Sequence, residues 1–344
     1  MQLTFIMVRM MEDKILLAHG SGGKLSHDLV EDYFLKVFNN RLLNPLDDSA
    51  SFNISGRLAF TTDSYVVAPI FFPGGDIGRL AVFGTVNDLS MAGAIPMYLS
   101  LSLIIEEGLP LSQLKKIINS IQEACEEAEV KVITGDTKVV NRGSADKLFI
   151  NTAGLGIIPE GINISASNAM VGDKIILSGP IGDHEIAILT QREGLKFETS
   201  LQSDCAPLNK LVADMIEVSK EIHCLRDPTR GGLASTLNEF AKRSNVGVKI
   251  EEDKVPVNET VRAACELLGF DPLNLANEGK LVAVVAPQET GKILAKMHQN
   301  KYGRQATIIG EVVDEHLGKV VMKTRFGSSR IIEMPAGELL PRIC

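Results

Sequence analysis

The chain has 344 residues, is 45% hydrophobic and 23% charged, and carries a net charge of −8. The acidity excludes a nucleic-acid surface, which needs clustered lysine and arginine to neutralise phosphates. The length suits two domains of roughly 150 to 200 residues each, and no apolar run reaches the roughly 20 residues needed to span a bilayer.

In chain order, Met1–Met10 is a short apolar opening with no small-residue cleavage site behind it, so it reads as an edge strand and not as a signal peptide. His19 to Lys24 (HGSGGK) is a glycine-rich loop. It opens a helix over 25–38, where Leu25, Leu29, Phe34, Val37 and Phe38 fall near helical spacing. Residues 58–62 read as a strand ending at Asp63, and 77–92 as a mostly buried helix. Residues 97–105 alternate through Leu99, Leu101 and Leu103, the pattern of a half-buried strand. A helix over 111–128, a strand at 130–134 and an apolar strand at 147–158 complete a first domain, 1–160. Pro159, Gly161 and the polar stretch to Asn168 mark the junction. A second domain, 168–332, is expected to hold strands at 174–178, 246–250, 280–286, 306–313 and 318–323. Its helices are expected over 183–191, 208–219, 232–243, 259–268 and 288–299. From about Glu333 to Cys344 the chain reads as a flexible tail.

Cys125, Cys205, Cys224, Cys265 and Cys344 are scattered, with no Cys-x-x-Cys pair, which fits a reducing cytoplasm better than a disulfide framework or a zinc site. The first four read as small core or surface residues. Cys344 is different. A terminal thiol is hard to explain by packing, and on a mobile tail it can be acylated at one site and carried to another.

The remaining candidate chemistry lies in the loop and in a set of acidic residues. Glycines let backbone N–H groups approach an anion, and Lys24 adds a positive charge, although the loop lacks Walker A spacing. Asp47, Asp48, Asp63, Asp136 and Asp227 stand at turns or strand ends, where aspartate also serves as a cap. Asp88, beside Asn87, interrupts an apolar helix, where a carboxylate is costly unless paired or metal-bound. Such carboxylates with a glycine loop suit Mg²⁺ held against nucleotide phosphates, because Mg²⁺ takes oxygen ligands and keeps waters and phosphates in its shell.

The segments HGSGGK, DDSA, FTTDS, VNDLSMAGA, ITGDTKV and RDPTRGGLAS occur in that order, and the chain ends Pro-Arg-Ile-Cys. Together they resemble the ATP-binding superfamily of aminoimidazole ribonucleotide synthetase and selenophosphate synthetase, and within it the HypE family of hydrogenase maturation factors. The likeness runs over essentially the whole chain. It implies an α/β and α+β fold. Two N-terminal domains would join strands in a β-barrel across a homodimer, and each C-terminal domain would be an α+β sandwich. It also implies a cytoplasmic ATP- and Mg²⁺-dependent enzyme that dehydrates an S-carbamoyl group on Cys344 to a thiocyanate, supplying cyanide ligands for nickel–iron hydrogenases.

By the same resemblance, Asp48, Asp88 and Asp227 match Mg²⁺-binding aspartates. Lys24, Asp63, Asn87, Gly135, Asp136 and Thr137 match the nucleotide site. Lys138 and Glu278 match polar residues near the tail thiol, with Glu278 as base and Lys138 stabilising negative charge, or the reverse. The implied partners are a HypF-like carbamoyl donor and a HypC–HypD-like cyano acceptor, with no nucleic acid and no membrane. One alternative is a selenophosphate synthetase-like or other small-molecule kinase or synthetase. That subgroup places a reactive Cys or selenocysteine in the loop, where this chain has Ser21 and Gly22. Another is a nucleotide-gated scaffold with a docking thiol.

Overall fold

The computed structural model describes residues 14–192, 200–337 and 340–344. The edge strand expected at Met1–Met10 lies outside the described residues. After a turn at Leu17–Gly20, one helical stretch, α1, runs through Lys24–Leu29, Val30–Leu35 and Lys36–Phe38, its middle third wound as a π-helix. It buries Leu29, Phe34 and Phe38, which brings the glycine loop down onto the first core.

The first half continues with β1 (Arg57–Tyr65), β2 (Phe71–Phe72), β3 (Gly75–Asp76), α2 (Ile77–Met91), β4 (Ile95–Glu106), α3 (Leu111–Ala128), β5 (Lys131–Val140) and β6 (Leu148–Ile158). One sheet runs in the order β1-β6-β4-β5. Its pairs are antiparallel except β4 with β5, the two strands that α3 connects. A parallel pair needs such a crossover. Asp76 caps α2 by accepting from the Gly78 and Arg79 backbone N–H groups at 2.9 and 3.0 Å. α2 is apolar all round and buried all round, because it lies between the sheet and α3. Gly84 permits that approach, since a Cβ there would meet the Tyr65 hydroxyl at 2.2 Å. Leu80, Val82, Phe83 and Val86 are fully buried, at about 1.5–3 kcal/mol each.

Tyr65 and Thr152 point toward α2, so the alternate residues of β1 face away from it. That outer face exposes Leu58 and Phe60, joined by Ile104 of β4. Within the described residues the sheet is open and four strands wide.

The second half comprises β7 (Lys174–Leu177), α4 (Asp183–Leu189), α5 (Asn209–Val218), β8 (Ile222–Arg226), α6 (Gly232–Ser244), β9 (Gly247–Glu251), α7 (Glu259–Leu268), β10 (Val282–Val285), α8 (Thr290–Met297), β11 (Thr307–Val313), β12 (Val320–Lys323) and β13 (Ser329–Ile332). Seven strands form the second sheet, in the order β13-β12-β9-β11-β7-β10-β8. Leu233, Leu237 and Phe240 of α6 share a core with Ile175, Val248 and Val282. Leu211, Met215, Ile293 and Met297 of α5 and α8 pack with Ile176 and Ala283. The alternating residues of β7 and β10 thus serve different cores.

Most predicted elements appear within a few residues of their expected ends. Strands β8 and β13 do not follow from the sequence pattern. β5 runs six residues beyond the expected strand at 130–134, through Gly135 to Val140. That extension has no apolar alternation to announce it. Its pairing with β4 sets it, Ser102 opposite Asp136 and Ile104 opposite Lys138.

Candidate active site

Four carboxyl groups lie within reach of one another's charge where the two halves touch. Asp63 lies on β1, Asp88 near the end of α2, Asp227 just after β8, and Glu278 just before β10. Asp88 accepts a hydrogen bond from the Thr61 hydroxyl at 2.8 Å. Burial raises its carboxyl above the usual range, and the charge of Asp63 adds to this, opposed by Thr61 and Arg226. Asp227 keeps some exposed area, yet its carboxyl is closely surrounded. That desolvation, with the charge of Asp88 next, pushes it up to about 7. Glu278 is 3% exposed. Burial first, then the charges of Asp227, Asp204, Asp63 and Asp88, hold it well above the usual carboxylate range. Its Oε1 has no hydrogen-bond partner among the described residues. Mutual repulsion and desolvation point the same way: this cluster favours a proton or a cation.

Asp204 and Lys280 form a buried ion pair beside it, Nζ to Oδ2 3.0 Å. Burial opposes the Asp204 charge, but Lys280, with the Glu278 backbone N–H, outweighs it and holds the carboxyl below its ordinary value. Asp204 Oδ1 also accepts from the Glu278 backbone N–H at 3.0 Å. Gly279 makes this possible, because a Cβ there would stand 1.8 Å from the Asp204 carbonyl oxygen.

Asn87 is buried, with its side chain committed to the junction between the halves. Its amide donates to the Ala206 carbonyl at 3.0 Å and to that of Glu278 at 3.4 Å, and its oxygen accepts from the Leu208 N–H at 2.8 Å. Sequence reading placed Asn87 at the nucleotide. The structure places it beneath the carboxyl cluster, holding Glu278 to α2.

The other expected site residues lie elsewhere. His19, Gly20, Gly22 and Asp47 line a cavity of about 360 Å³ together with the stretch Gly135–Lys138 of β5. Gly20 lets the loop touch β5, where a Cβ would meet the Val139 N at 2.5 Å. Asp136 and Lys138 pair at 2.7 Å, both more than half exposed. Lys24 begins α1 and is exposed, as is Asp48. In the sheet register Asp63 stands opposite Thr152, Thr152 opposite Leu101, and Leu101 opposite Gly135. Three strand spacings separate Asp63 from Gly135, about 14 Å. One chain therefore presents two half-sites, one acidic and one glycine-rich.

Among the described residues, no three His, Cys, Asp or Glu side chains are grouped so as to hold a metal by themselves. Asp88 and Asp227 are near enough to act on each other's charge, while Asp48 is not among the charges acting on Asp88. Two carboxylates with phosphate and water oxygens suit Mg²⁺.

The tail, expected to be flexible, is docked. Val66 and Ala68 donate backbone N–H bonds to main-chain oxygens of the tail, a carboxylate oxygen of Cys344 at 3.1 Å and the Arg342 carbonyl at 3.2 Å. Arg192 Nη2 donates to the carbonyls of Pro341 and Arg342 at 2.7 and 2.9 Å. His184 is fully buried, and burial lowers its pKa, which favours the neutral ring. Its Nε2 lies 2.8 Å from the Ile343 carbonyl oxygen and its Nδ1 2.7 Å from the Ser203 hydroxyl. A carbonyl only accepts, so Nε2 carries the proton and Ser203 donates to Nδ1. Ile343 is buried against the first core, and Cys344 is half-buried beside it.

Residues 46–158 match the family described as AIR synthase related protein, N-terminal domain, and residues 170–323 match its C-terminal domain. The chain is 53% identical over 330 residues to the carbamoyl dehydratase HypE of Bradyrhizobium diazoefficiens, covering 95% of each. The chain belongs to the HypE family. A crystal structure of the hydrogenase maturation protein HypE in complex with ATP superposes with a TM-score of 0.92 at 49% identity, over 96% of this chain and 99% of that one. A HypE chain from a HypE–HypF complex superposes with a TM-score of 0.79 at 50% identity, over 89% of this chain and 99% of that one.

Sequence reading passed over His184, Arg192, Asp204 and Lys280. None stands in a glycine-rich or acidic motif, and each acquires its role from a partner at least 76 residues away or on the tail. The buried Asn-Glu-Gly-Lys stretch, 277–280, was the available signal, since charged groups inside a core need partners.

Proposed function

We propose that this chain is an ATP-dependent carbamoyl dehydratase whose own Cys344 carries the substrate. The observation that carries this is the seating of the terminal residues against Val66–Ala68, three residues beyond Asp63 and its carboxyl cluster. A thiol-bearing terminus bound to its own chain just past the end of β1, the strand that carries Asp63, is the arrangement of a carried substrate.

The reaction follows from the chemistry of an amide. Oxygen is a poor leaving group from S–C(=O)–NH₂ at neutral pH. The carbonyl oxygen attacks the γ-phosphorus of ATP, ADP leaves, and one N–H proton goes to a base. The second N–H proton leaves as the C–O bond breaks, which gives S–C≡N and inorganic phosphate. Glu278 is our base, and Lys138 stabilises developing negative charge. Glu278 holds its proton tightly in the isolated cluster. A cation held by Asp88 and Asp227 would relieve the charge repulsion around Glu278, the second cause after burial, and would favour its carboxylate form. Mg²⁺, when bound, would supply that charge and align the phosphates. Asp88 and Asp227 would hold it, with Asp48 approaching from its exposed segment.

Lys24, Asp63, Gly135, Asp136 and Thr137 form our proposed nucleotide site. We propose that a homodimer completes it, because the two half-sites of one chain are about 14 Å apart in the sheet. The exposed Leu58, Phe60 and Ile104 give the outer sheet face an apolar surface for a second copy. A HypF-like donor of the carbamoyl group and a HypC–HypD-like acceptor complete the proposed partners. No helix among the described residues is long and apolar enough to cross a membrane, and we propose a cytoplasmic site of action.

The test is mass spectrometry of the C-terminal peptide. The thiol is carbamoylated with cyanate, Mg-ATP is added, and the chain is cut after Glu338. ATP-dependent loss of one water from the fragment ending in Cys344 is the expected result. A carbamoylated fragment unchanged by ATP in a folded, ATP-binding protein refutes the reading. Glu278→Gln is expected to bind ATP and leave the fragment unchanged at every pH; a variant with the parent rate removes Glu278 as base.

A further inference from the structure

We infer that Arg192, His184 and Asp146 are positioning residues that seat Cys344 by gripping the main chain and Arg342 of the tail. Three successive tail carbonyls are captured by side chains. Arg192 takes those of Pro341 and Arg342, and His184 takes that of Ile343. Arg342 answers with its own Nε on the Val66 carbonyl at 2.8 Å and its Nη1 on Asp146 at 2.7 Å. Arg192 also donates to the Ala68 carbonyl, at 3.2 Å, so one guanidinium joins both extended segments.

Two features show that the seat is imposed by these bonds. Arg342 sits at φ 58°, in the left-handed region that a side chain disfavours. Arg192 and Arg342 are also close enough for each charge to act on the other. Asp146 is the carboxylate paired with Arg342. Without it the two guanidinium groups repel, and the strained turn loses a tie.

A grip on carbonyls has a chemical consequence, which rests on the function proposed above. The bonds to the three carbonyls and to Arg342 are the same for a thiol, a thiocarbamate and a thiocyanate on Cys344, so they hold each state of the substrate in one place. Chemistry at sulfur leaves these bonds intact, and they contribute no difference in affinity between the states.

The experiment is alkylation of full-length protein with limiting maleimide. The other four cysteines are buried, so Cys344 reports tail release. Arg192→Ala is expected to raise the Cys344 rate about tenfold, the scale of one or two charge-assisted bonds. Asp146→Asn, at an exposed site, is expected to raise it several-fold. His184→Ala raises it too, whereas His184→Gln, whose amide still donates to the Ile343 carbonyl, keeps the parent rate. Single-turnover dehydration of the carbamoylated tail falls in the same order, at unchanged ATP affinity. Unchanged alkylation in both Arg192→Ala and Asp146→Asn overturns the inference. If Arg192→Ala fails to fold, Asp146→Asn alone decides it. Shifted alkylation in a protein whose parent shows no dehydration supports the grip and refutes the proposed function instead.

Discussion

Replacing Asp227 by asparagine should stabilise the nucleotide-free protein at alkaline pH while damaging the site. Burial and the charge of Asp88 push the folded carboxyl up to about 7, from an ordinary 3.8. Its folded form holds the proton more tightly than the unfolded chain does. Its contribution to stability is therefore present below about pH 4, declines as pH rises, and is gone above about pH 7. At about 1.4 kcal/mol per tenfold, the change is on the order of 4 kcal/mol, shared with Asp88 because each charge acts on the other. Asparagine removes the charge with nearly the same shape, so about 1–3 kcal/mol should return at pH 8 and roughly a third of that at pH 5. Urea unfolding of parent and variant from pH 5 to 8, without nucleotide, measures this directly. The parent's stability should fall more steeply across that range. Mg-ATP should restore the parent at pH 8 and have a much smaller effect on the variant. Equal slopes for the two proteins, or a variant less stable than its parent at pH 8, would refute the claim that repulsion and desolvation are stored at this cluster.

Asn87→Ala removes three bonds and strands the buried Leu208 N–H, so urea unfolding should show a loss of about 2–4 kcal/mol. Gly279→Ala forces a Cβ into the Asp204 carbonyl and should break the Asp204–Lys280 pair, seen as loss of soluble protein or a large fall in melting temperature. Phe60→Asp places a charge on the exposed outer face of the first sheet; sedimentation should show fewer dimers at unchanged monomer stability. Cys344→Ala should keep ATP binding by calorimetry and abolish the mass change on the tail.

Sequence alone determined most of the element order. Alternation in 97–105 and 147–158, and helical spacing in 111–128, reflect which faces need burial, and burial is what pattern encodes. It also marked the glycine loop, the aspartates at strand ends and the terminal thiol, because each breaks the local expectation for packing. Tertiary structure decided what those residues do together. Asp63, Asp88, Asp227 and Glu278 are separated by up to 215 residues and converge only because β1, α2, β8 and β10 end at one junction. Gly135–Lys138 and the loop at His19–Gly22 converge elsewhere, which no spacing rule reveals. Asn87 reads as a ligand beside Asp88, and burial turns it into a joint. The tail reads as mobile because it is terminal and broken by Pro335, Gly337 and Pro341; Arg192 and His184 hold it by its carbonyls. Backbone acceptors are the same in every sequence, so a site that grips them leaves no trace in the tail's own residues.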